Sequence, residues 1–158
     1  MRKECMNLLL ASMLDNDKIY VLTADLGFGI LNDIRDKFST RYFNVGAAEQ
    51  LMIGTAIGLT EQDKIAICYS ISSFLLYRPF ELIRNYINHE NIPVKLIGSG
   101  RDKDYAHDGK SHWCDDDEKV LEALPNIEIF KPKDIRELEE QFPHFLYSDK
   151  PAYLNLTR

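Results

Sequence analysis

Apolar residues along the chain follow two spacings, one typical of helices and one typical of strands. Residues 3–14 carry Met6, Leu9, Leu10 and Met13 at helical spacing, and a cluster of Asn and Asp ends this run. Short runs rich in Val and Ile then predict six strands: KIYVLTA, RYFNV, KIAICYS, PVKLIGSG, NIEIF and AYLNL. The helical patterns between them are ILNDIRDKF, AEQLMIGTAIGLTE, residues 74–89, the DDDEKVLEAL run and DIRELEEQFPHFLY.

The alternation of strands and helices predicts the fold class. Val- and Ile-rich strands separated by helices indicate a parallel sheet that is covered on both faces. We therefore expect an α/β fold, a three-layer sandwich with a mainly parallel sheet of about six strands, in a single domain spanning 1–158. Ligands of such sheets bind at loops after the carboxyl ends of strands. Those loops include ADLGFG, NVGAAE, YSISSF and GSGRDKDYAHDGKSHW.

Composition and charge indicate which partners and which cellular setting the sequence is compatible with. The 158 residues are 45% hydrophobic and carry a formal net charge of −6, and no cluster of Lys and Arg offers a surface for nucleic-acid phosphates. Cys5, Cys68 and Cys114 form no CxxC pair and cannot all pair as disulfides, which favours a reducing, cytoplasmic setting. The start of the chain reads as an amphipathic helix and not a signal peptide. No uncharged apolar run is long enough to span a bilayer, so we expect no membrane partner.

The helical segment 48–61 combines apolar residues with one acid and two glycines. Its apolar residues point in nearly every direction, which predicts burial in a core or against another chain. Gly54 and Gly58 lie on one face and cost helix stability, so they suggest close approach of a neighbour, and a second subunit is a candidate for that neighbour in so small a chain. Glu49, in the first turn, has two interpretations: a carboxylate that stabilises the helix start, or a buried acid whose proton is used in chemistry.

The segment FNVGAAEQLMIGTAIGL, residues 43–59, resembles the glutamate-bearing part of a known domain. That domain is the pyrimidine-binding domain of the transketolase and 1-deoxyxylulose-5-phosphate synthase family of thiamine diphosphate enzymes. Other segments match in the family's order: TADLG, SSFLLYRPFELIR, DGKSHW followed by DDD, LPNIEIFKPKD and PAYLNLTR. An ordered set of matches over nearly the whole chain is more specific than any single motif. The resemblance implies the thiamine diphosphate-binding fold of the pyrimidine type.

The resemblance also implies roles for individual residues. In the family, the glutamate that Glu49 matches hydrogen-bonds N1' of the cofactor's aminopyrimidine, and this contact promotes formation of the nucleophilic C2 ylid. Phe74 matches the aromatic residue that stacks on that ring; without the family pattern it reads as a core residue of an amphipathic helix. Tyr77 and Arg78 compete for one further position, because FLLYR holds one residue more than the relatives' spacing. Tyr77 is our prediction for a cofactor contact.

Two more segments carry implied site residues. Asp25 and Leu26 match a loop that lies near the cofactor at the domain interface, although a strand-end Asp in a Gly-rich turn is also an ordinary turn residue. His112 matches the catalytic histidine of the family's GxTH motif, which faces the substrate; here Ser111 precedes it and Trp113 follows. Imidazole suits proton transfer near neutral pH. A metal site in this loop fits no zinc pattern, so we predict no metal ligands in the chain.

The resemblance does not cover all the parts that the family uses to bind its cofactor and substrate. A GDG turn and a downstream Asn hold a divalent metal and the diphosphate in the family, and HDG at 107–109 lacks the first Gly. The chain also ends before the family's C-terminal domain. The resemblance therefore implies the pyrimidine-domain subunit of a split transketolase-like transferase. A separate diphosphate-binding subunit would hold Mg²⁺, two copies of each would form a heterotetramer, and a sugar or 2-oxo acid would donate a two-carbon ketol or acyl unit.

Two other functions are compatible with parts of the sequence. A catalytically inactive binding or regulatory module could keep the same fold, although the presence of Glu49, Phe74 and His112 together argues against it. An unrelated nucleotide-binding α/β domain is less compatible, because GFGILND contains neither GxGxxG nor a Walker lysine.

Overall fold

A six-stranded sheet in which every neighbouring pair of strands is parallel forms the centre of the protein. The computed structural model describes residues 1–158, and the strand order is β2-β1-β3-β4-β6-β5. The strands are β1 (Ile19–Thr23), β2 (Tyr42–Asn44), β3 (Ile65–Ile71), β4 (Lys95–Ser99), β5 (Glu128–Phe130) and β6 (Ala152–Leu156). The predicted α/β class and the predicted number of strands are confirmed.

Helices connect the strands and cover both faces of the sheet. They are α1 (Arg2–Asp15), α2 (Asn32–Lys37), α3 (Glu49–Thr60), α4 (Ser72–Tyr77), α5 (Phe80–Leu82), α6 (Asp117–Glu122) and α7 (Ile135–Tyr147). A π-helical segment spans Ile83–His89, and 3₁₀ turns span Ala106–Asp108 and Lys110–His112. None of the helices has both the length and the apolar character that crossing a membrane requires.

The alternation of side chains along each strand divides the core in two. Ala66 and Cys68 of β3 point into one cluster, which α3, α4 and α6 cover. Ile67 and Tyr69 point into the other cluster, which α1, α2 and α7 cover. This period of two is what the pleat of a strand imposes. It leaves a buried surface on each face, as expected for a parallel sheet.

The predicted helix over 74–89 is interrupted in the structure. Helix α4 ends at Tyr77, α5 begins at Phe80, and the remainder is π-helical. Pro79 lies at the break, and a proline lacks the N–H that would continue the α-helical hydrogen bonds. Arg78, the C-cap of α4, still has helical φ and ψ angles and lies four residues after Phe74.

Helix α3 is only partly covered by its own chain. Met52, Ile53 and Ala56 are buried, whereas 58% of Leu51 is exposed. A Cβ atom at Gly54 or at Gly58 would meet no atom within 4 Å. These glycines therefore approach no other part of this chain, and a second subunit at this face stays a prediction.

Gly98 is a glycine with a different environment, in the middle of β4. A Cβ atom at this position would lie 2.5 Å from Oγ of Ser72 and 2.8 Å from the hydroxyl of Tyr153. Both of these side chains are buried. The close packing of α4 and β6 around β4 thus depends on the missing side chain.

Substitution by alanine is expected to have opposite effects on stability at Gly98, which is closely packed, and at Gly54, which is not. Gly98→Ala should lower the free energy of unfolding by about 1–3 kcal/mol, because a close-packed core does not accept an added methyl group. Gly54→Ala should raise it by up to about 1 kcal/mol, since alanine favours the helix and no neighbour obstructs it. Urea denaturation of the three proteins measures both changes. Equal stability of the two variants would contradict this assignment.

Candidate functional site

The loops of interest lie at one edge of the sheet, where the strand order reverses. β1 pairs with β2 on one side and with β3 on the other, so the loops after these strands diverge. Such a switch point at the carboxyl ends of parallel strands is where ligands bind in open α/β sheets. The loops that follow β1, β2, β3 and β4 contain all the predicted site residues.

The turn after β2 determines where Glu49 lies. Oδ1 of Asn44 accepts hydrogen bonds from the backbone N–H of Asp25 (2.9 Å) and of Gly46 (3.1 Å), which joins the loops after β1 and β2. Gly46 has φ +74°, a left-handed conformation that glycine adopts without strain. Helix α3 then begins at Glu49, whose side chain is only 3% exposed. The exposed backbone N–H groups of a helix start favour a negative charge here.

Glu49 forms an ion pair with a residue from the loop region after β3. Nη1 of Arg78 donates a 2.7 Å hydrogen bond to Oε1 of Glu49. The guanidinium carbon of Arg78 lies 3.6 Å from the centroid of the Phe74 ring, a cation–π contact. The guanidinium group of Arg78 therefore contacts both Glu49 and Phe74, and we call the flat position that it occupies the slot.

His112 lies on the other side of Phe74. Their ring centroids are 4.8 Å apart at an interplanar angle of 62°, an edge-to-face contact. Nδ1 of His112 lies 3.0 Å from Oγ of Ser111, so the serine hydroxyl can hold one ring nitrogen. The hydroxyl of Ser73 donates a 2.9 Å hydrogen bond to the carbonyl of Ser111 and so ties this turn to α4. The structure thus brings Glu49, Phe74 and His112 together.

Tyr77 points away from this group. Its hydroxyl donates a 2.5 Å hydrogen bond to Oδ1 of Asp116 and lies 3.6 Å from Sγ of Cys114. Burial, reinforced by the acceptor Asp116, raises the pKa of Tyr77 above its usual range. Burial also raises the pKa of Cys114 to about 12. Of the two residues that competed for one position, Arg78 contacts Glu49 and Phe74; a cofactor contact by Tyr77 stays a prediction.

Asp25 and Leu26 lie on the neighbouring loop. Asp25 is exposed and has φ +53°, as expected for a residue in a tight turn. The carbonyl of Leu26 accepts a hydrogen bond from Oγ1 of Thr23, and its side chain helps to line a cavity of about 240 Å³ with Tyr69 and Tyr105. Neither Asp25 nor Leu26 hydrogen-bonds to Glu49, so their role near a cofactor also stays a prediction.

The positive charges in the loop after β4 are already paired. Arg101 donates to the carbonyls of Pro132 and Asn155. Lys103 and Lys110 both approach Asp115, at 3.4 and 3.1 Å. The Lys110 hydrogen bond lowers the pKa of the Asp115 carboxyl. Nowhere in the chain do three His, Cys, Asp or Glu side chains converge as metal ligands do.

Some contacts that organise the site were not apparent from the sequence. Asn44 joins two loops, and only its place after a strand and before a Gly turn could have suggested this role. Tyr105 packs against the backbone of Gly100, and its hydroxyl lies 3.0 Å from Oγ of Ser99. These contacts join residues that are distant in the chain or lie in irregular loops, where spacing patterns carry no information.

Comparison with known proteins identifies the family. The family model for the transketolase pyrimidine-binding domain matches residues 1–158. The chain is 28% identical over 159 residues to the 6-deoxy-6-sulfo-D-fructose transketolase subunit SqwH of Clostridium sp. strain MSTE9, which covers all of this chain and 49% of that protein. It is 30% identical over 144 residues to the 1-deoxy-D-xylulose-5-phosphate synthase of Syntrophus aciditrophicus, which covers 90% of this chain and 22% of that enzyme.

A solved structure agrees with these sequence matches. A split-gene transketolase, solved as an inactive beta4 tetramer, superimposes with a TM-score of 0.86 at 30% identity over 99% of this chain and 51% of that one. The chain thus spans about half the length of this structure and of the transketolase subunit. The match over all 158 residues shows that the chain belongs to the transketolase pyrimidine-binding-domain family.

Proposed function

We propose that this chain provides the pyrimidine-binding half of a thiamine diphosphate site in a split transketolase-like transferase. Family membership supports the cofactor class. The observation that carries the proposal is the flat slot between Glu49 and Phe74, with His112 at its edge. When bound, thiamine diphosphate supplies a nucleophilic carbon that accepts a two-carbon unit.

The Arg78 guanidinium, which fills the slot, indicates what kind of ligand the slot fits. The guanidinium group of Arg78 is planar, stacks on the Phe74 ring and donates an N–H to Glu49. These guanidinium atoms occupy the position that a flat heterocycle with a protonated ring nitrogen would take. An aminopyrimidine that shares a proton with a carboxyl group is such a heterocycle. The donor set therefore suits such a ring.

Glu49 is the proposed acid. Its carboxyl group is nearly excluded from water, and a buried carboxyl can share a proton with a ring nitrogen without competition from solvent. The start of α3 and the Asn44 turn hold it at the edge of the sheet. In this proposal, the Glu49 carboxyl would hold the proton that it shares with a ring nitrogen of a bound aminopyrimidine.

His112 is the proposed acid–base group for the substrate. The contact between Ser111 and Nδ1 leaves Nε2 available for a substrate hydroxyl or carbonyl. The edge contact with Phe74 places the imidazole beside the slot and not inside it. A ketose or a 2-oxo acid would be the donor.

A partner chain would complete the site. The cations Arg101, Lys103 and Lys110 in the loop after β4 are held by this chain's own groups, and no three side chains converge as metal ligands do. We therefore assign the diphosphate and Mg²⁺ to a separate diphosphate-binding subunit, in a heterotetramer of two copies each. The relative named as a transketolase subunit supports a split arrangement.

The first test measures exchange of the cofactor's C2 proton. The chain is mixed with a diphosphate-binding transketolase subunit, thiamine diphosphate and Mg²⁺ in D₂O, and exchange is followed by NMR. Glu49→Gln should slow exchange about 100-fold or more, because an amide cannot supply the proton. The matched control is Glu61→Gln, since Glu61 is exposed at the other end of α3. Equal exchange in both variants would refute the role of Glu49, and no exchange with the native chain would favour an inactive module.

The second test separates His112 from Glu49. In the same complex with hydroxypyruvate as donor, His112→Asn should lower turnover by about 100-fold, the usual contribution of a general acid or base. C2 exchange should stay near the native rate, because His112 acts on the substrate. His107→Asn is the control, since His107 is an exposed histidine of the same loop. A parallel loss of exchange and turnover in His112→Asn would contradict this division of roles.

A further inference from the structure

Arg78 contacts Glu49 and Phe74, the two side chains that form the slot, but it has no role in the proposed chemistry. Glu49 accepts the only side-chain hydrogen bond that Arg78 makes, and 46% of the Arg78 side chain is exposed. Arg78 caps α4 with helical φ and ψ angles. It lies four residues after Phe74, and this spacing places the two side chains on the same face of the helix, where they are in contact. Arg78 therefore fills the slot from its open side and has room to leave it.

The contacts of Arg78 are those that an aminopyrimidine ring would need. A ring stacked on Phe74 would lie about 3.5–4 Å above it, the separation of carbon layers in contact. The guanidinium carbon already lies at 3.6 Å, so no second planar group fits in this layer. A stacked ring would also direct its N–H toward the Glu49 carboxylate, whose Oε1 Arg78 now holds.

We propose that Arg78 is a built-in competitor of the cofactor ring, which fills the slot between Phe74 and Glu49 and swings out when the ring enters. The inference rests on the proposed function, since it takes the position of the ring from it. Arg78 thereby keeps the Glu49 carboxylate paired in the free chain and sets the affinity for the cofactor.

The burial of the two partners explains why the exchange can take place. An ion pair with one partner almost half exposed is weakened by solvent. Glu49, at 3% exposure, would lose far more if it were left without a partner. An entering N–H donor pairs with Glu49 as Arg78 leaves, so the carboxylate always has a partner. A ligand without an N–H donor gains no such contact and should not displace Arg78.

The competition has a measurable consequence for affinity. When only a fraction of molecules has an open slot, the apparent dissociation constant is the intrinsic one divided by that fraction. A slot open in about one molecule in ten would weaken binding about tenfold. Removal of Arg78 should restore the intrinsic affinity.

The experiment titrates 4-amino-2-methylpyrimidine into the full chain and follows the backbone amides around Glu49 by NMR. Arg78→Ala should bind this probe about tenfold more tightly than the native chain, because its slot is open. Arg78→Gln, which keeps a flat amide, should bind with an intermediate affinity and replaces the alanine variant if that one does not fold. Arg84→Ala is the matched control, because Arg84 lies on the same helical region, is exposed and bonds only to Asn85.

A second titration uses guanidinium ion at millimolar concentration. It should bind Arg78→Ala saturably, since the ion replaces the lost side chain. It should not bind the native chain or the double variant Glu49→Gln/Arg78→Ala, because the first has a filled slot and the second lacks the carboxylate. Saturable guanidinium binding to the double variant at the same affinity would refute the pairing on which the proposal depends.

The two titrations separate this inference from the proposed function. Equal affinity of the native chain, Arg78→Ala and Arg84→Ala for the pyrimidine overturns the competition and leaves the cofactor site intact. Binding of guanidinium but not of the pyrimidine to Arg78→Ala overturns the proposed cofactor and the competition with it. Tighter pyrimidine binding in Arg78→Ala alone supports both.

Discussion

A carboxylate that is almost fully buried is the constraint on which the site depends. An ionised group at 3% exposure must be paired, because an isolated charge in a protein interior is strongly unfavourable. Two features of the fold stabilise the Glu49 carboxylate: the start of α3, with its exposed N–H groups, and the guanidinium of Arg78. The position of Phe74 follows from the second of these, since its ring supports the flat side of that guanidinium. One pairing requirement thus determines three side chains.

The parallel sheet makes this pairing possible between distant parts of the chain. All six strands end at the same edge, so the loop after β2 and the helix after β3 meet there although 29 residues separate Glu49 from Arg78. The loop after β4 reaches the same edge and is tied to α4 by the bond between Ser73 and Ser111. Strands β1, β2, β3 and β4 are each followed by one segment of the site, and the order of strands at the β1/β3 switch leaves space between these segments.

Local patterns could predict the elements but not the directions of the side chains. The β6 strand AYLNL and helix α1 match their predicted residues almost completely, because a buried strand and an apolar helical stripe are each encoded within a few residues. The helical pattern over 74–89 is interrupted in the structure, because Pro79 lacks the N–H that an unbroken α-helix needs. Tyr77, the last residue of α4, contacts Asp116, whereas Arg78, its C-cap, contacts Glu49. No spacing rule distinguishes these two neighbours.

The distribution of charge at the site suits a flat group and does not suit a phosphate. Flat groups are bound by an aromatic face and one acid, and both are present. Phosphates require free cations or backbone N–H groups at a helix start, yet Arg101, Lys103 and Lys110 are each held by groups of this chain. The uncovered face of α3, where Leu51 is exposed and the two glycines meet no neighbour, belongs to the helix that begins with Glu49 at this edge of the sheet. A second polypeptide segment that approaches this edge could cover the α3 face and supply the missing cations together, so that completion of the site and burial of the exposed surface become one event.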